Sequence, residues 1–295
     1  MNQYKLIPII FFVLFSWACQ REEVKQYAAI ESYPEDTFLS QIKEKRALVI
    51  IAHDDYMCAM TGTISMLNKK GWKIQTFSLD KGESRNTAHQ RACTYILDSV
   101  SFMSLTSESI YRNPNPEKLL FEAFPKNEFE KIFKIEELKQ ELKVKILAFK
   151  PTVIFTLDNE IGGYGHPEHV LVSQSVLDLA IDSIIHPKAI YQSVFTDHME
   201  TSIMHRHSER MKSWGFDGNG WVNAQKAYKT DGMPTPSVEI NIVAEAEAKM
   251  NFLLSYNERE RKTMSFFIPA FEEYSAEEYF SIFDREFFRV IKFNE

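Results

Sequence analysis

Short apolar runs alternate with longer mixed segments along much of the chain. The apolar runs predict five strands, at 47–52, 72–80, 99–105, 152–158 and 189–196. The segments between them predict helices, at 60–70, 85–98, 116–124, 127–150 and 167–182. This rhythm predicts an α/β fold: a Rossmann-like, mostly parallel sheet with helices on both faces.

The pattern changes after about residue 197. Residues 205–236 contain Gly, Asn, Trp and Lys without clear periodicity, which predicts irregular structure. Beyond them the sequence predicts a strand at 237–242, a helix at 244–262 and a terminal amphipathic stretch at 276–291. No repeat or interdomain linker is visible, so residues 41–295 are expected to form a single domain.

The first 18 residues have the features of a secretory signal. A lysine precedes a short apolar stretch, which is too short to span a membrane as a mature helix. The stretch ends in Ala18-Cys19 and resembles a bacterial lipoprotein signal with Cys19 as the lipidated residue. Gln20 then suggests the outer membrane, with 19–40 as a polar tether. An ordinary secretory signal with an incidental cysteine is the alternative.

Composition narrows the possible partners. The chain has 295 residues, 44% hydrophobic and 25% charged, which suits a protein with a sizeable core. The net charge of −7 and the lack of a basic stripe argue against nucleic acid. Cys58 and Cys93 either pair in an oxidising compartment or are small buried hydrophobes, and the second interpretation is favoured.

Two predicted strands end in unusually polar loops. The strand at 47–52 is followed by His53-Asp54-Asp55, and the strand at 152–158 by NEIGGYGHPEHV, residues 159–170. Ligands of open α/β sheets bind outside the carboxyl ends of the strands. Pro167 suits a first helical turn, which puts His166 at the helix mouth and His169 on the same side, three residues later.

These side chains match the needs of a catalytic zinc site. Such sites use three nitrogen or oxygen ligands and keep a position for water, which His53, Asp55 and His169 would satisfy. Asp54 would then be the general base, and His166 would polarise or protonate the reacting group. Taken singly, a His-Asp-Asp cluster is more often a capped loop, and a Gly-His-Pro turn is common.

The paired motifs resemble those of the PIG-L/LmbE family of zinc-dependent N-deacetylases, which act largely on N-acetylglucosamine-containing molecules. GHPEHV at 165–170 resembles the family's Gly-His-Pro-Asp-His, and Gly62-Thr63-Ile64 the end of its Ala-His-Pro-Asp-Asp-Glu motif. LDKGE at 79–83 and the late strand and helix, with Lys249 and Tyr256, are also similar. The resemblance spans about residues 45–260 and implies this fold, zinc and a carbohydrate substrate.

The first motif departs from the family pattern, since it lacks the proline. Aligned backward from Ile64, Asp54 and Asp55 take the two Asp positions, while His53 takes the Pro position and Ala52 that of the ligand His. Aligned on His53, the base would be Asp55. The first register keeps both carboxylates and is preferred. It requires His53 to reach the metal from a shifted position.

Several neighbouring residues complete the predicted site. Glu168 is expected to orient an imidazole rather than bind metal. Tyr164 and Arg85 either line a sugar pocket or belong to solvated loops. His205 and His207 are interpreted as surface residues, with a secondary metal contact as the alternative.

The sequence therefore predicts a lipid-anchored, metal-dependent hydrolase that removes an acetyl group from an N-acetylated amino sugar or glycoconjugate. Membrane contact is expected only through the lipid anchor. Two other interpretations stay open: a non-catalytic glycan-binding lipoprotein on a decayed deacetylase scaffold, and a hydrolase of the same fold that acts on another amide or ester.

Overall fold

The computed structural model describes residues 24–113 and 122–293. The predicted signal segment 1–18, its Cys19 and most of the helix predicted at 116–124 lie outside the described residues.

The fold is built on one seven-stranded sheet in the order β3-β2-β1-β4-β5-β7-β6. The strands are β1 (Arg46–Ile51), β2 (Lys73–Asp80), β3 (Ser99–Thr106), β4 (Val153–Leu157), β5 (Ala189–Val194), β6 (Val238–Asn241) and β7 (Arg285–Lys292). β1 to β5 pair in parallel, whereas β7 is antiparallel to both β5 and β6. The predicted α/β fold with a mostly parallel sheet is confirmed.

Helices cover both faces of this sheet. The α-helices with both ends in the described residues are α1 (Phe38–Gln41), α2 (Thr61–Lys69), α3 (Glu83–Ala92), α4 (Phe129–Ile132), α5 (Ile135–Phe149), α6 (Gly162–Gly165), α7 (Pro167–Ile181), α8 (Asp197–Ser213), α9 (Gly220–Tyr228), α10 (Ala246–Leu254), α11 (Glu258–Met264) and α12 (Ala276–Ile282). Short 3-10 helices lie at Asp54–Ala59, Lys126–Glu128, Val243–Glu245 and Phe271–Glu273.

The continuous apolar run of β1 follows from this layering. Successive side chains of a strand point to opposite faces, so a strand covered on both sides is apolar throughout. Val49 and Ile51 belong to one core cluster, and Leu48 and Ile50 to the cluster on the other face.

The sheet order creates a switch point between β1 and β4. From β1 the chain builds outward through β2 and β3, and from β4 it builds in the other direction through β5. Ligand sites of doubly wound sheets lie at the carboxyl ends of the strands where the order reverses. The two polar loops identified in the sequence follow β1 and β4, so they meet at this crevice.

The helix predicted at 127–150 is interrupted, which corrects that prediction. Phe133 has extended backbone angles (φ −105°, ψ 156°) and pairs with Tyr111 in an isolated antiparallel bridge. The backbone amide of Lys134 donates to the Ile110 carbonyl at 2.9 Å. This long-range backbone pairing, which periodicity does not reveal, ends α4 before α5 begins.

The helix predicted at 244–262 also divides in two. Asn257 lies between α10 and α11, and its side chain accepts from the backbone amides of Arg259 and Glu260 at 3.0 and 3.2 Å. Asparagine is a strong N-cap because its side-chain oxygen satisfies free amides of the first turn. The sequence pattern did not reveal this boundary, because the segments on both sides of Asn257 are amphipathic.

The terminal stretch 276–291 forms a helix and a strand. α12 ends at Ile282, and the chain then enters β7, which lies between β5 and β6. Residues 205–236, predicted as irregular, contain the C-terminal half of α8 and all of α9. The polar composition of α8 left only Met199, Ile203 and Met204 buried, which is too narrow an apolar stripe to reveal a helix.

Residues 24–40, predicted as part of a polar tether, pack against the domain instead. Val24 and Leu39 join the core, and the Tyr191 hydroxyl donates to Asp36 at 2.6 Å. Glu35 forms a parallel bridge with Glu239 of β6. Contacts with distant residues, invisible in the composition of the segment, hold it in place.

The structure bears on membrane-spanning helices and on the state of the cysteines. Among residues 24–113 and 122–293, no helix has both the length and the hydropathy needed to cross a bilayer. Cys58 and Cys93 are buried free thiols, in agreement with the favoured interpretation.

Candidate metal centre

Three imidazoles meet at the switch point. One ring nitrogen from each of His53, His166 and His169 lies within 4.8 Å of the others, and no other residue of the described chain belongs to this group. Their ring centroids are 4.6 to 4.9 Å apart. Burial lowers the pKa of each histidine below its usual value, so the rings are neutral at neutral pH. Neutral imidazoles are the form that binds metals.

His169 presents a lone pair with no partner. Its Nδ1 lies 2.9 Å from the Gly162 carbonyl, which can only accept, so Nδ1 carries the proton and Nε2 does not. Nε2 is buried and has no hydrogen-bond partner in the structure. A buried acceptor without a partner is costly, and metal-binding histidines are commonly oriented through the other ring nitrogen in this way.

The loop before His169 is shaped by its own backbone. The Asp158 carboxylate at the end of β4 accepts four backbone amides at 2.7 to 3.1 Å, from residues 160, 161, 162 and 163. Gly162 has φ +66°, and a Cβ there would lie 2.7 Å from the His169 Cβ and 2.8 Å from the Val170 nitrogen. Glycine is therefore required where the loop touches the first turn of α7.

His166 caps α7 and has the opposite tautomer from His169. Its Nδ1 accepts the backbone amide of Glu168 at 3.2 Å. The proton of the neutral ring therefore lies on Nε2, which becomes a donor rather than a metal ligand. This geometry suits the predicted role of His166 as a group that hydrogen-bonds the reacting oxygen.

Glu168 fixes the orientation of His53. Its Oε2 lies 2.8 Å from the His53 Nε2, which places a proton there and leaves the Nδ1 lone pair available. The same carboxylate accepts from Ser107 Oγ at 2.8 Å and from the Tyr111 hydroxyl at 3.3 Å. Glu168 is only 4% exposed, so these contacts satisfy an otherwise costly buried charge.

Asp54 and Asp55 face Arg85 rather than the imidazole group. Arg85 Nε donates to Asp54 Oδ1 at 2.7 Å, and Nη2 approaches Asp55 Oδ1 at 2.6 Å outside hydrogen-bond geometry. Burial raises the pKa of Asp55 to about 6, because the effect of desolvation exceeds the stabilising effect of Arg85. Burial raises the pKa of Asp54 as well. The second oxygen of Asp54, Oδ2, has no partner.

Tyr164 forms part of the aromatic wall beside the imidazoles. Its ring centroid lies 5.4 Å from that of His169, and it stacks on Tyr56 at 5.5 Å and on Phe267 at 4.6 Å. Neither Tyr164 nor Arg85 is a solvated-loop residue. His207, predicted at the surface, is also partly buried, 6.4 Å from Tyr164, whereas His205 is exposed as predicted.

Sequence reasoning missed the residues that support the imidazoles from β2 and β3. Ser107 and Tyr111 follow β3, and Lys81 follows β2 and donates to Ser107 Oγ. All three leave the carboxyl edge of the sheet, so the rule applied to β1 and β4 would have drawn attention to them. Tyr56 and Phe267 offered no such signal, because aromatic residues are frequent throughout this chain.

The fold and the site define an α/β protein with a polar crevice at the β1–β4 switch point. Residues 48–180 match the family described as PIG-L, GlcNAc-PI de-N-acetylase. A comparison with curated proteins found no match.

Solved structures with the same fold include a hydratase and a deacetylase. The chain resembles GalB, the 4-carboxy-2-hydroxymuconate hydratase from Pseudomonas putida, with TM-score 0.51, 12% identity and coverage of 85% of this chain and 98% of that one. It also resembles the zinc-inhibited form of the teicoplanin deacetylase Orf2, with TM-score 0.51, 10% identity and coverage of 85% and 99%. At these identities the likeness establishes the fold alone, which is known to host different chemistries.

Proposed function

We propose that the chain is a metal-dependent N-deacetylase that hydrolyses the acetamide of an N-acetylated amino sugar or glycoconjugate. The observation that carries the proposal is the buried, unpartnered Nε2 of His169, on a ring that forms a group with His53 and His166 in which one nitrogen from each ring lies within 4.8 Å of the others. The match of residues 48–180 to a family described as a de-N-acetylase supports it independently.

The donor set fits a divalent metal such as zinc. His169 through Nε2 and His53 through Nδ1 would supply neutral imidazole ligands, which zinc favours. Asp55, the third predicted ligand, would supply a carboxylate oxygen on leaving Arg85. A metal bound there would act as a Lewis acid, polarising the acetyl carbonyl and lowering the pKa of water.

The remaining side chains have separate roles in the proposed hydrolysis. Asp54 uses its free Oδ2 to take a proton from the attacking water, and the hydroxide oxygen forms the new bond to the acetyl carbon. His166 donates from Nε2 to the developing oxyanion. The C–N bond breaks as the amine nitrogen takes up the proton, which yields acetate and a free amine. Glu168 holds His53 in the required tautomer.

The substrate assignment remains part of the proposal. In this proposal Tyr164, in the aromatic wall beside His169, contacts a sugar ring, and Arg85 lies near the reacting edge of the crevice. Attachment to the bacterial outer membrane through Cys19 would bring the enzyme to envelope glycoconjugates. Contact with the membrane is proposed through this lipid anchor only.

Metal content is the first test. The chain from Gln20 onward is purified without added metal and compared with His169→Ala, and with His205→Ala as an exposed-histidine control. We expect about one zinc per chain in the parent and the control, and none in His169→Ala, because a His ligand is lost. His169→Gln and circular dichroism show whether any loss follows from misfolding.

Acetate release from N-acetylated sugars then tests the activity. Zinc in the protein together with acetate release that depends on it supports the proposal. A parent chain that stays metal-free after incubation with zinc contradicts it.

One observation favours a second candidate, a non-catalytic glycan-binding protein. Arg85 already provides a cation for Asp54 and Asp55, so these carboxylates are partly neutralised without metal. This candidate predicts binding of a saccharide with neither metal nor turnover. A same-fold hydrolase of another amide or ester would instead retain metal and fail only on N-acetyl sugars, which a substrate panel would reveal.

A further inference from the structure

A cluster of aromatic and cationic side chains lies on the surface beside the crevice. Trp214 and Phe266 are 5.4 Å apart, and the Arg210 guanidinium lies over both rings at 5.3 and 4.4 Å. The Lys262 ammonium also lies over the Trp214 ring, 5.4 Å from its centroid. We call these four residues the aromatic–cationic platform. Trp214 is 45% exposed, so part of its ring surface remains accessible to a ligand.

The positive charge of the platform is not neutralised within the described part of the chain. Neither Arg210 nor Lys262 has a carboxylate within ion-pair distance there, and nor does the neighbouring Arg206. Arg210 donates only to the Ser265 hydroxyl, at 3.2 Å. In a chain of net charge −7, the two cations Arg210 and Lys262, without a carboxylate partner beside an exposed indole, mark a place for an anion.

The platform is continuous with the imidazole group through a series of rings. Phe266 is 6.2 Å from Phe267, which stacks on Tyr164 at 4.6 Å, and Tyr164 is 5.4 Å from His169. His207 lies beside this path, 5.3 Å from Phe266, with its Nδ1 buried and unpartnered. A ligand on the platform could therefore extend along the path toward the site.

We propose that the platform binds an acidic sugar unit of an oligosaccharide whose N-acetylated unit occupies the crevice. The placement of the N-acetylated unit in the crevice rests on the proposed function. The apolar face of a pyranose ring would lie against Trp214, an amphipathic ring suited to such contacts. The carboxylate of the sugar would pair with Arg210, since a guanidinium recognises planar anions through paired donors, and with Lys262. The platform thus sets specificity and takes no part in the chemistry.

The probes are two oligosaccharides of equal length. Hyaluronan tetrasaccharide alternates N-acetylglucosamine with glucuronate, whereas chitotetraose contains N-acetylglucosamine alone. Binding is measured by calorimetry with the Asp54→Asn chain from Gln20 to Glu295, which contains all described residues and would not consume the ligand. We expect hyaluronan tetrasaccharide to bind about 10-fold more tightly, with salt weakening the difference.

Variants connect this preference with the platform. Trp214→Ala and Arg210→Gln are each expected to weaken hyaluronan binding about 10-fold, in line with loss of one stacking or charged contact. The controls are Tyr95→Ala, an aromatic residue 91% exposed in the turn before β3, and Lys73→Gln, an exposed cation that begins β2. Both lie toward the amino ends of strands, opposite the crevice, and should leave binding unchanged. Thermal unfolding identifies any variant that misfolds.

The outcomes separate this inference from the proposed function. Equal affinity for the two tetrasaccharides, or hyaluronan binding unaffected by Trp214→Ala, overturns the platform proposal even if chitotetraose is deacetylated. Hyaluronan binding through Trp214 without any acetate release by the parent chain supports the platform and contradicts the deacetylase. Trp214-dependent binding to vesicles containing phosphatidylglycerol, with no saccharide binding, identifies the surface as a membrane contact and overturns the proposal.

Discussion

The loops after β1 and β4 face each other across one crevice but are held in different ways. The β4 loop is organised by its own chain, through Asp158 and through the contact of Gly162 with His169. The β1 loop is a 3-10 turn, and its acidic side chains are held by Arg85 of α3. One loop carries its support with it, while the other depends on a neighbour.

The difference explains which motif tolerates change. A loop whose hydrogen bonds join residues two to seven positions apart requires particular residues at particular spacings. A loop held by a distant guanidinium can vary in length as long as its carboxylates still reach that partner. The family-like GHPEHV beside the shortened His-Asp-Asp sequence fits this contrast.

The largest expected effect concerns the chemical role of the β1 loop. If the loop still delivers a base, Asp54→Asn should lower turnover by roughly 10²- to 10⁴-fold, the usual contribution of general-base catalysis, with metal retained. The measurement is acetate release beside zinc content. Asp231→Asn, an exposed carboxylate, is the control. Near-normal turnover in Asp54→Asn would remove its assignment as base.

The second prediction tests the self-supporting character of the β4 loop. Asp158→Ala leaves four buried or partly buried amides without their acceptor and should lower the free energy of unfolding by about 3–5 kcal/mol. Denaturant unfolding measures it. The exposed Asp182→Ala at the end of α7 should change stability by no more than about 0.5 kcal/mol. Equal effects would show that the loop is held by other contacts.

The third prediction tests the dependence of the β1 loop on its neighbour. Arg85→Gln leaves two buried carboxylates without their cation, so the metal-free protein should lose about 3 kcal/mol of stability. Zinc should recover more stability in this variant than in the parent, because it replaces the missing cation. Unfolding with and without zinc measures both. Exposed Arg91→Gln on the same helix is the control, and equal zinc effects in the two variants would contradict the prediction.

The smallest expected effect is on the stability of the protein at acidic pH. Burial, with Arg85 nearby, lowers the pKa of His89 on α3 to about 3, and its Nδ1 lies 2.7 Å from the Tyr256 hydroxyl. Because the unfolded chain binds the proton more readily, His89 contributes stability that is complete above pH 6.5 and is lost as pH falls toward 3. The slope is at most about 1.4 kcal/mol per pH unit.

His89→Gln should make the metal-free protein's stability less steep in pH over this range. The measurement is denaturant unfolding between pH 5 and 7, compared with the exposed His205→Gln. An unchanged slope in His89→Gln would mean that the anchoring of α3, and so the support of the β1 loop, is insensitive to acid.

The sequence by itself determined the parallel part of the sheet, the two strand ends that form the crevice and the local structure of the β4 loop. These features rest on periodicity and on contacts between near neighbours, such as His169 with Gly162. The sequence did not reveal the helix break at Phe133 or the strand β7, since each depends on pairing with remote backbone.

Only the tertiary structure decided which side chains meet in the crevice. His53 meets Glu168 from 115 positions away, Ser107 joins Glu168 across 61, and Arg85 reaches Asp54 across 31. No periodicity or spacing rule links such residues, because their proximity arises from the order in which parallel strands assemble. That order brings four strand ends to one edge, and there it sets the tautomer of His53 and the counter-ion of Asp54.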